Sequence, residues 1–334
     1  NFYTHASCSP TRSMLLTGHD THINGLGAMD EWTAPNQMGK EGYEGYLSTN
    51  LVTLPQLLKD AGYHTYMVGK WHMGKAPDKI PAARGFERDF TLLDGMGSYW
   101  DMTNMTALNH TSVFTEDGKY LTKLPKDYYA TETYTDKLIN FIDEGRKDGK
   151  PFFAYVSHQA PHDPYHLPKD WRNRHVGEYD KGWDIVRKER LKRQKELGII
   201  PENTQLAERM WYVPEPSILA PASRAVMGRK MELYAGLVEN VDYHIGRLIS
   251  YSLIGLLFGF IGKGLYLAGF QQRLSVLMGV LMILTIIIPI SLFNKYNFSK
   301  PLYKIISQVK SKLGFYLSKK SNKALFLIGF FNGF

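Results

Sequence analysis

Hydrophobic and polar positions follow helix and strand periods through the first 243 residues. The run TLPQLLKDA predicts a short helix over 53–61, with Gly62 placed to end it. A β-prone run from Tyr63 to Val68 follows, and the apolar run KPFFAYVSH predicts a buried strand over 152–158. Helices that alternate with strands in this way indicate an α/β fold, in which helices cover the faces of a sheet.

Two longer helices are predicted from apolar residues that recur at helical spacing. Residues 128–145 and 230–249 each place four such residues on one face: Tyr134, Leu138, Phe141 and Ile142 in the first, and Leu233, Leu237, Val241 and Ile245 in the second. The segment 171–195 is charged and aromatic, and we predict that it is a surface excursion or insertion.

The pattern changes after residue 249. Residues 274–293 form an uncharged run of 20, which is long enough to cross a membrane as a helix. A second apolar stretch precedes this run, and the chain ends in a third. We therefore predict that residues 250–334 are a transmembrane segment with two helices, a lysine-rich loop over 294–323 and the start of a third helix. The lysines place that loop in the cytoplasm by the positive-inside rule.

The formal net charge of +8 belongs to this tail. From His244 onward the chain has eleven Lys and Arg residues and no Asp or Glu, whereas residues 1–243 hold 29 basic and 32 acidic residues. Nucleic acid is therefore not a predicted partner of the chain as a whole. The single cysteine, Cys8, excludes an internal disulfide framework.

Cys8 opens the first of three polar clusters. Ser9 is a suitable N-cap, Pro10 fits the first helical position and Gly18 fits the end, so a helix is predicted directly after the cysteine. Cys8 would then lie at the positive end of the helix dipole, where anions bind, with Arg12 one turn further on. The simpler alternative is that Cys8 is a small buried hydrophobic residue.

The other two clusters follow predicted strands. Lys70 and His72 lie in GKWHMG at the end of one strand, and His162 lies in APHDP just beyond the next. Taken singly, they are a solvated lysine, a structural histidine and a loop residue. Together with Cys8 they supply a nucleophile precursor, cations and acid–base groups, which a tetrahedral, dianion-like ester would need.

These motifs resemble those of the sulfatases. CSPTR followed by SMLLTG resembles the first sulfatase signature, GYHTYMVGKWHMG the second, and APHDP the histidine loop that follows. The intervening sequence is similar to bacterial arylsulfatases over about residues 1–249. The resemblance implies an alkaline-phosphatase-like α/β/α core, a mixed sheet with helices on both faces, and sulfuric ester hydrolase activity.

The resemblance also implies a role for each residue. In this family a maturing enzyme oxidises the motif cysteine to formylglycine, whose hydrated aldehyde attacks sulfur, so Cys8 would be the nucleophile precursor and Arg12 would hold the formylglycine. Lys70 would bind the sulfate and stabilise its charge, and His72 would accept a proton from the diol. His162 would bind the sulfate or help the leaving oxygen depart. A sulfate ester and a sulfatase-maturing enzyme are the implied partners.

The family's calcium site is incomplete in this sequence. Two adjacent aspartates near the N-terminus and a later Asp-Asn pair normally bind the metal, and neither is present before Cys8 or after Asp242. Cys8, as formylglycine, would be the remaining ligand. We therefore interpret residues 1–249 as a partial sulfatase domain that lacks an N-terminal strand and the C-terminal half, and we expect this chain to have little or no sulfatase activity.

The tail resembles bacterial membrane proteins of the sulfite-exporter or cytochrome-c-biogenesis type. Two membrane crossings would put residues 1–249 on the cytoplasmic side, whereas an intact sulfatase of this kind is expected in the periplasm or outside the cell. The segment IGRLIS, 245–250, suits both families. We interpret the chain as a chimera of two gene fragments joined near this segment, and a genuine membrane-anchored sulfatase is the alternative.

Three alternatives remain open at this stage. The same cations would serve a phosphate or phosphonate monoester hydrolase of the same superfamily. The second alternative is a membrane transport or assembly protein that carries a non-functional sulfatase fragment. A third alternative is a binding module in which Cys8 stays a thiol.

Overall fold

The computed structural model describes residues 4–107 and 109–267, the last fourteen of them as backbone alone. Its helices are α1 (Cys8–Thr17), α2 (Leu54–Asp60), α3 (Ala130–Gly145), α4 (Trp183–Glu196) and α5 (Pro221–Leu267). Its strands are β1 (His64–Lys70), β2 (Arg88–Leu92), β3 (Phe114–Glu116), β4 (Lys119–Tyr120) and β5 (Phe152–Ser157). Short 3₁₀ turns lie at Asp30–Trp32, Pro81–Arg84, Arg146–Asp148, Lys169–Trp171 and Pro216–Ile218.

The five strands form one mixed sheet in the order β4-β3-β2-β1-β5. Strand β1 pairs in parallel with β2 on one side and with β5 on the other, while β3 and β4 run antiparallel at the far edge. The predicted mixed sheet is confirmed. Because β1 and β5 are parallel neighbours, their carboxyl ends meet at the same edge of the sheet, which is where α/β sites form.

Alternate residues of β1 separate two hydrophobic cores. Tyr66 and Val68 pack with Tyr134 and Leu138 of α3, in a core that also includes residues of α5. Met67 points to the opposite face and belongs to a second core, which includes Leu16 of α1. This two-residue alternation follows from the pleat of a strand, and it gives the predicted arrangement of helices on both faces of the sheet.

Local sequence signals explain the bounds of α2. Thr53 is its N-cap and forms a capping box with Gln56, so two backbone N–H groups that have no partner within the helix are satisfied. Gly62 adopts a φ of 87°, and its N–H donates to the carbonyl of Lys59 at 2.9 Å. The predicted helix over 53–61 with Gly62 at its end is confirmed within one residue at each end.

The predicted start of α1 is wrong by two residues. The N-cap is Ser7, in extended conformation, and the helix already includes Cys8. Ser9 is buried, and its hydroxyl has no hydrogen-bond partner, so it does not cap the helix. Pro10 is compatible with this start because the first-turn N–H groups have no intrahelical acceptor in any case. Gly18 ends the helix as predicted, with a φ of 72°.

The charged segment after His162 lies on the surface, as expected, and contains helix α4, which has no buried residue. Helix α5 buries Leu237 completely and continues through the predicted joining segment 245–250. In the part of the chain that the structure describes, no helix combines the length and the apolarity that a membrane crossing needs. The predicted spanning run 274–293, the lysine-rich loop and the final apolar run lie outside the described residues.

Candidate active site

Helix α1 and strands β1 and β5 converge at one edge of the sheet. The guanidinium of Arg12, in α1, donates to the backbone carbonyl of Lys70 at 2.6 Å and to the hydroxyl of Ser157. Lys70 is the last residue of β1, and Ser157 is the last residue of β5. A single side chain therefore ties the first turns of α1 to the ends of both central strands, and it fixes Cys8 beside them.

Gly69 makes this junction possible. Its φ of 102° favours glycine, and a Cβ at this position would lie 2.0 Å from the carbonyl oxygen of Ser157. Any side chain would therefore push β1 and β5 apart immediately before Lys70. The glycine of the GKWHMG motif is required by close backbone approach.

Lys70 is buried, with 2% of its surface exposed. The simple alternative of a solvated lysine is therefore wrong. Burial lowers the pKa of Lys70, and the nearby charge of Arg12 lowers it further, whereas Cys8 acts in the opposite direction. The two cations repel each other, so this edge of the sheet favours an anion that can lie between them.

Cys8 is half-buried and is the group that the other predicted residues surround. The proximity of His162 and then of His72, together with the charge of Lys70, lowers the pKa of the thiol to about 4 despite its burial. The site therefore stabilises negative charge at position 8, and the low pKa of the thiol is typical of reactive cysteines. The structure brings Cys8, Lys70, His72 and His162 together, as the sequence predicted.

His162 contacts Cys8 from the loop after β5. The hydrogen bond with Cys8 is the largest effect on the pKa of His162 and raises it, while burial lowers it. Nδ1 of the ring lies 2.7 Å from the carbonyl oxygen of Asp163 and 3.0 Å from its carboxylate. The ring is therefore oriented by its own loop.

His72 follows β1 by two residues and is held by a carboxylate that sequence reasoning missed. Its Nε2 lies 3.0 Å from Oε2 of Glu31, in the 3₁₀ turn Asp30–Trp32. Burial would raise the pKa of Glu31, but the hydrogen bond with His72 and the other interactions outweigh burial and lower that pKa to about 2. No periodicity or motif around Glu31 points to this contact, because the turn lies in an irregular polar segment.

A cavity of about 430 Å³ opens beside His72. Acidic and basic residues share its wall with one aromatic ring, and its lining includes Asp30, Glu31, Glu44, Tyr46, His72, Lys75, Lys79 and Asp94. The ammonium of Lys79 lies 4.5 Å from the centre of the Tyr46 ring. Of the residues clustered at Cys8, His72 lines this cavity, whereas Cys8, Lys70 and His162 do not.

The described residues near Cys8 do not fit a calcium ion. Calcium takes several oxygen ligands, chiefly carboxylates. The side chains that surround Cys8 are instead Lys70, His72 and His162, and no group of three or more His, Cys, Asp or Glu side chains in residues 4–107 and 109–267 could hold a metal ion.

Comparison with known proteins follows the same division of the chain. The sulfatase family profile matches residues 1–252, and the profile of the cytochrome c biogenesis protein transmembrane region matches residues 220–334. The two matches overlap over 220–252, which includes the predicted joining segment 245–250, and this is consistent with a chimera. Both predicted resemblances are confirmed.

Two relatives with similar sequences agree with the first match. An uncharacterized sulfatase of Schizosaccharomyces pombe is 40% identical over 270 residues, covering 75% of this chain and 47% of the relative. The arylsulfatase of Klebsiella aerogenes is 36% identical over 251 residues, covering 75% of this chain and 53% of the relative. A crystal structure of the Bacteroides fragilis protein yidJ aligns with a TM-score of 0.49 at 18% identity, covering 75% of this chain and 49% of that one.

The chain thus spans about half the length of the curated relatives that it matches. The sulfatase profile covers three quarters of it, and the matched residues contain every side chain of the cluster around Cys8. The chain belongs to the sulfatase family.

Proposed function

We propose that the site around Cys8 hydrolyses sulfate esters after Cys8 has been converted to formylglycine. The observation that carries this proposal is the convergence of Lys70, His72 and His162 on Cys8, which lowers the pKa of its thiol to about 4. Preorganised donors around a developing anion are commonly the largest source of catalysis, and removing one costs about 3 kcal/mol. Membership of the sulfatase family supports the same assignment.

Each side chain has a task that its contacts support. Formylglycine, once formed at position 8, would supply the nucleophilic hydroxyl. Lys70, buried and close to position 8, would bind the sulfate oxygens and stabilise their charge. His162 would donate to the sulfate or to the leaving oxygen from the loop after β5, where Asp163 orients its ring. Arg12 would hold the group at position 8 from the first turns of α1.

His72 would accept a proton from the group at position 8. Its ring lies near enough to lower the pKa of the Cys8 thiol, and Glu31 binds its Nε2. The cavity beside it would take the organic part of the ester, and an aryl sulfate is a suitable probe because the Klebsiella aerogenes relative is an arylsulfatase.

Residues outside this chain would complete the site. The described side chains near Cys8 do not fit calcium, so the roles proposed for them do not involve a metal. We propose that the remaining calcium ligands are carboxylates. In a full-length relative they would come from the half of the sequence that this chain does not cover. We also propose that residues 250–334 attach the chain to a membrane, which the match to a transmembrane region supports.

A hybrid enzyme tests the proposal. The matched segment of the Klebsiella aerogenes arylsulfatase is replaced by residues 1–249 of this chain, and the hybrid is produced with a sulfatase-maturing enzyme. Mass spectrometry measures formylglycine at position 8, and 4-nitrophenyl sulfate and 4-nitrophenyl phosphate are compared as substrates. We expect conversion of Cys8 and preference for the sulfate, with both lost in a Cys8→Ala hybrid.

Two results would overturn the assignment. A folded hybrid with formylglycine at position 8 that cleaves the phosphate better than the sulfate would favour the phosphatase alternative. A folded hybrid whose Cys8 remains a thiol, and which binds 4-nitrophenyl sulfate without cleaving it, would favour a binding module. The unaltered full chain, assayed in parallel, is expected to show little or no turnover.

A further inference from the structure

We propose that Glu31 is a positioning residue that fixes the ring orientation and the tautomer of His72, so that Nδ1 is the nitrogen that accepts a proton at position 8. The proposal rests on the proposed function for its catalytic consequence. Its structural part concerns only the His72–Glu31 pair and can be tested without turnover.

The two ring nitrogens of His72 differ in their hydrogen bonding. Nε2 of His72 lies 3.0 Å from Oε2 of Glu31. At this distance an ionised carboxylate accepts a hydrogen bond from a ring N–H. Nδ1 of the same ring is buried and has no hydrogen-bond partner among the residues that the structure describes. A neutral imidazole carries one N–H, so an Nε2–H bound to Glu31 leaves the lone pair on Nδ1.

No regular secondary structure holds the backbone at His72. His72 has a φ of 58°, in the left-handed region that favours glycine, and it lies beyond the end of β1. The main chain at this point is held in an unusual conformation, and neither strand nor helix fixes the side chain. The carboxylate of a residue 41 positions earlier supplies that support.

Gly95 packs closely against the His72–Glu31 pair. A Cβ at Gly95 would lie 2.7 Å from Oε1 of Glu31 and 2.7 Å from both Cε1 and Nε2 of His72. The backbone of Gly95 therefore packs directly against the hydrogen bond, and no side chain fits there without moving one of the two partners. Packing and hydrogen bonding together leave the ring one orientation.

The proton transfer that follows is simple to balance. The O–H bond of the hydroxyl at position 8 breaks, its electron pair stays on oxygen, and a new N–H bond forms at Nδ1 of His72. Nε2 keeps its proton, and the negative charge of Glu31 stabilises the imidazolium that results. No further reactant is needed.

A second histidine–glutamate pair provides a matched control. Nδ1 of His64 lies 2.8 Å from Oε2 of Glu87, and the two glutamates are similarly accessible, with 28% of the Glu31 side chain and 32% of the Glu87 side chain exposed. His64 lies at the opposite end of β1 from the site. Loss of Glu87 removes the same kind of contact without touching Cys8.

Nitrogen-15 NMR of histidine-labelled full chain, with Cys8 unmodified, reads the tautomer directly. The His72 signals are assigned by their loss in His72→Gln. We expect the Nε2–H form in the natural sequence and in Glu31→Gln, whose amide oxygen still accepts the bond. We expect a mixture of tautomers in Glu31→Ala and in Gly95→Ala, and no change of the His72 signals in Glu87→Ala.

The sulfatase hybrid measures the consequence for catalysis. Glu31→Ala should lower kcat at least about tenfold with KM nearly unchanged, since a mispositioned base loses part of the usual contribution of proton transfer. Glu31→Gln should recover part of that loss, and Glu87→Ala should leave kcat unchanged.

The outcomes separate the two proposals. An Nδ1–H tautomer in the natural sequence, or His72 signals that do not respond to Glu31→Ala, would overturn the role of Glu31. The predicted tautomer with an unchanged kcat would overturn its catalytic consequence. An inactive parent hybrid with the predicted tautomer would count against the proposed function and leave the positioning of His72 established.

Discussion

Strand β1 has a histidine–glutamate pair at each end, and the two pairs lie in opposite surroundings. His64 begins the strand, with Glu87 2.8 Å from Nδ1 and Asp148 3.0 Å from Nε2. Both ring nitrogens are bound by carboxylates. Their effect, led by the hydrogen bond of Glu87, raises the pKa of His64. This end of the strand holds a closed ion cluster at the surface.

The other end of β1 is built for an incoming anion. His72 has one carboxylate partner, Glu31, and its remaining neighbours are Cys8 and the cation of Lys70. Both His72 and Lys70 are almost fully buried. A histidine–glutamate pair therefore lies among carboxylates at one end of β1 and beside Cys8 and a buried lysine at the other. Residue type alone does not tell a site from a structural cluster.

The largest expected effect comes from Gly69→Ala, which separates the active end of β1 from β5. The new Cβ would lie 2.0 Å from the carbonyl oxygen of Ser157. We expect the free energy of unfolding to fall by at least about 3 kcal/mol. Urea unfolding followed by tryptophan fluorescence measures it, since Trp71 is fully buried in the folded chain.

Gly18→Ala is the control for Gly69→Ala. Gly18 also has a positive φ, 72°, but a Cβ there would meet nothing within 4 Å. It should cost about 1 to 2 kcal/mol, through backbone conformation alone. Equal losses in the two variants would show that the contact with Ser157 does not matter.

Lys70→Met should have the next largest effect. In the sulfatase hybrid we expect kcat/KM for 4-nitrophenyl sulfate to fall by about 100-fold, because a buried donor to the developing charge is removed. The parent hybrid should also lose activity at alkaline pH, since burial and Arg12 lower the pKa of Lys70 and the ammonium loses its proton earlier than an ordinary lysine. Lys70→Met should abolish that alkaline limb. A variant that keeps both the rate and the limb would remove Lys70 from the site.

Glu87→Gln should have the smallest effect, at the structural end of β1. The pKa of His64 is raised in the folded chain, so its stabilisation is fully present below about pH 6.5 and is lost as the pH rises through the raised value. We expect Glu87→Gln to cost about 0.5 kcal/mol at pH 5.5 and almost nothing at pH 9, by urea unfolding. An equal cost at both pH values would indicate a hydrogen bond to the neutral ring.

Sequence periodicity predicted the elements that hold this site, within one or two residues at their ends. Gly62, the capping residues of α2 and the apolar face of α3 act through local rules, so their effects were visible in the sequence. The clustering of Cys8, Lys70, His72 and His162 was also predictable, because the motifs follow parallel strands whose carboxyl ends share one edge.

Contacts made across long sequence separations were not predictable in the same way. Ser157 binds Arg12 from 145 positions away, and Glu31 and Gly95 reach His72 from irregular segments. The start of α1 was misplaced for a related reason, since Ser7 and Ser9 are equally good caps by residue type and tertiary packing buries Ser9. Burial and pairing decided these cases, and neither is written in a short window of sequence.

The distance along the chain between Cys8 and its partners has a consequence for the order of events during synthesis. His162 follows Cys8 by 154 residues, and β5 must be made before β1 can gain its neighbour on that side. At about 5 to 20 residues per second, a ribosome needs roughly 8 to 30 s to cover that interval. Throughout it the thiol lacks the histidine with the largest effect on its pKa and the strand that binds Arg12. During translation the CSPTR segment therefore remains accessible for a period of seconds before the fold closes around it.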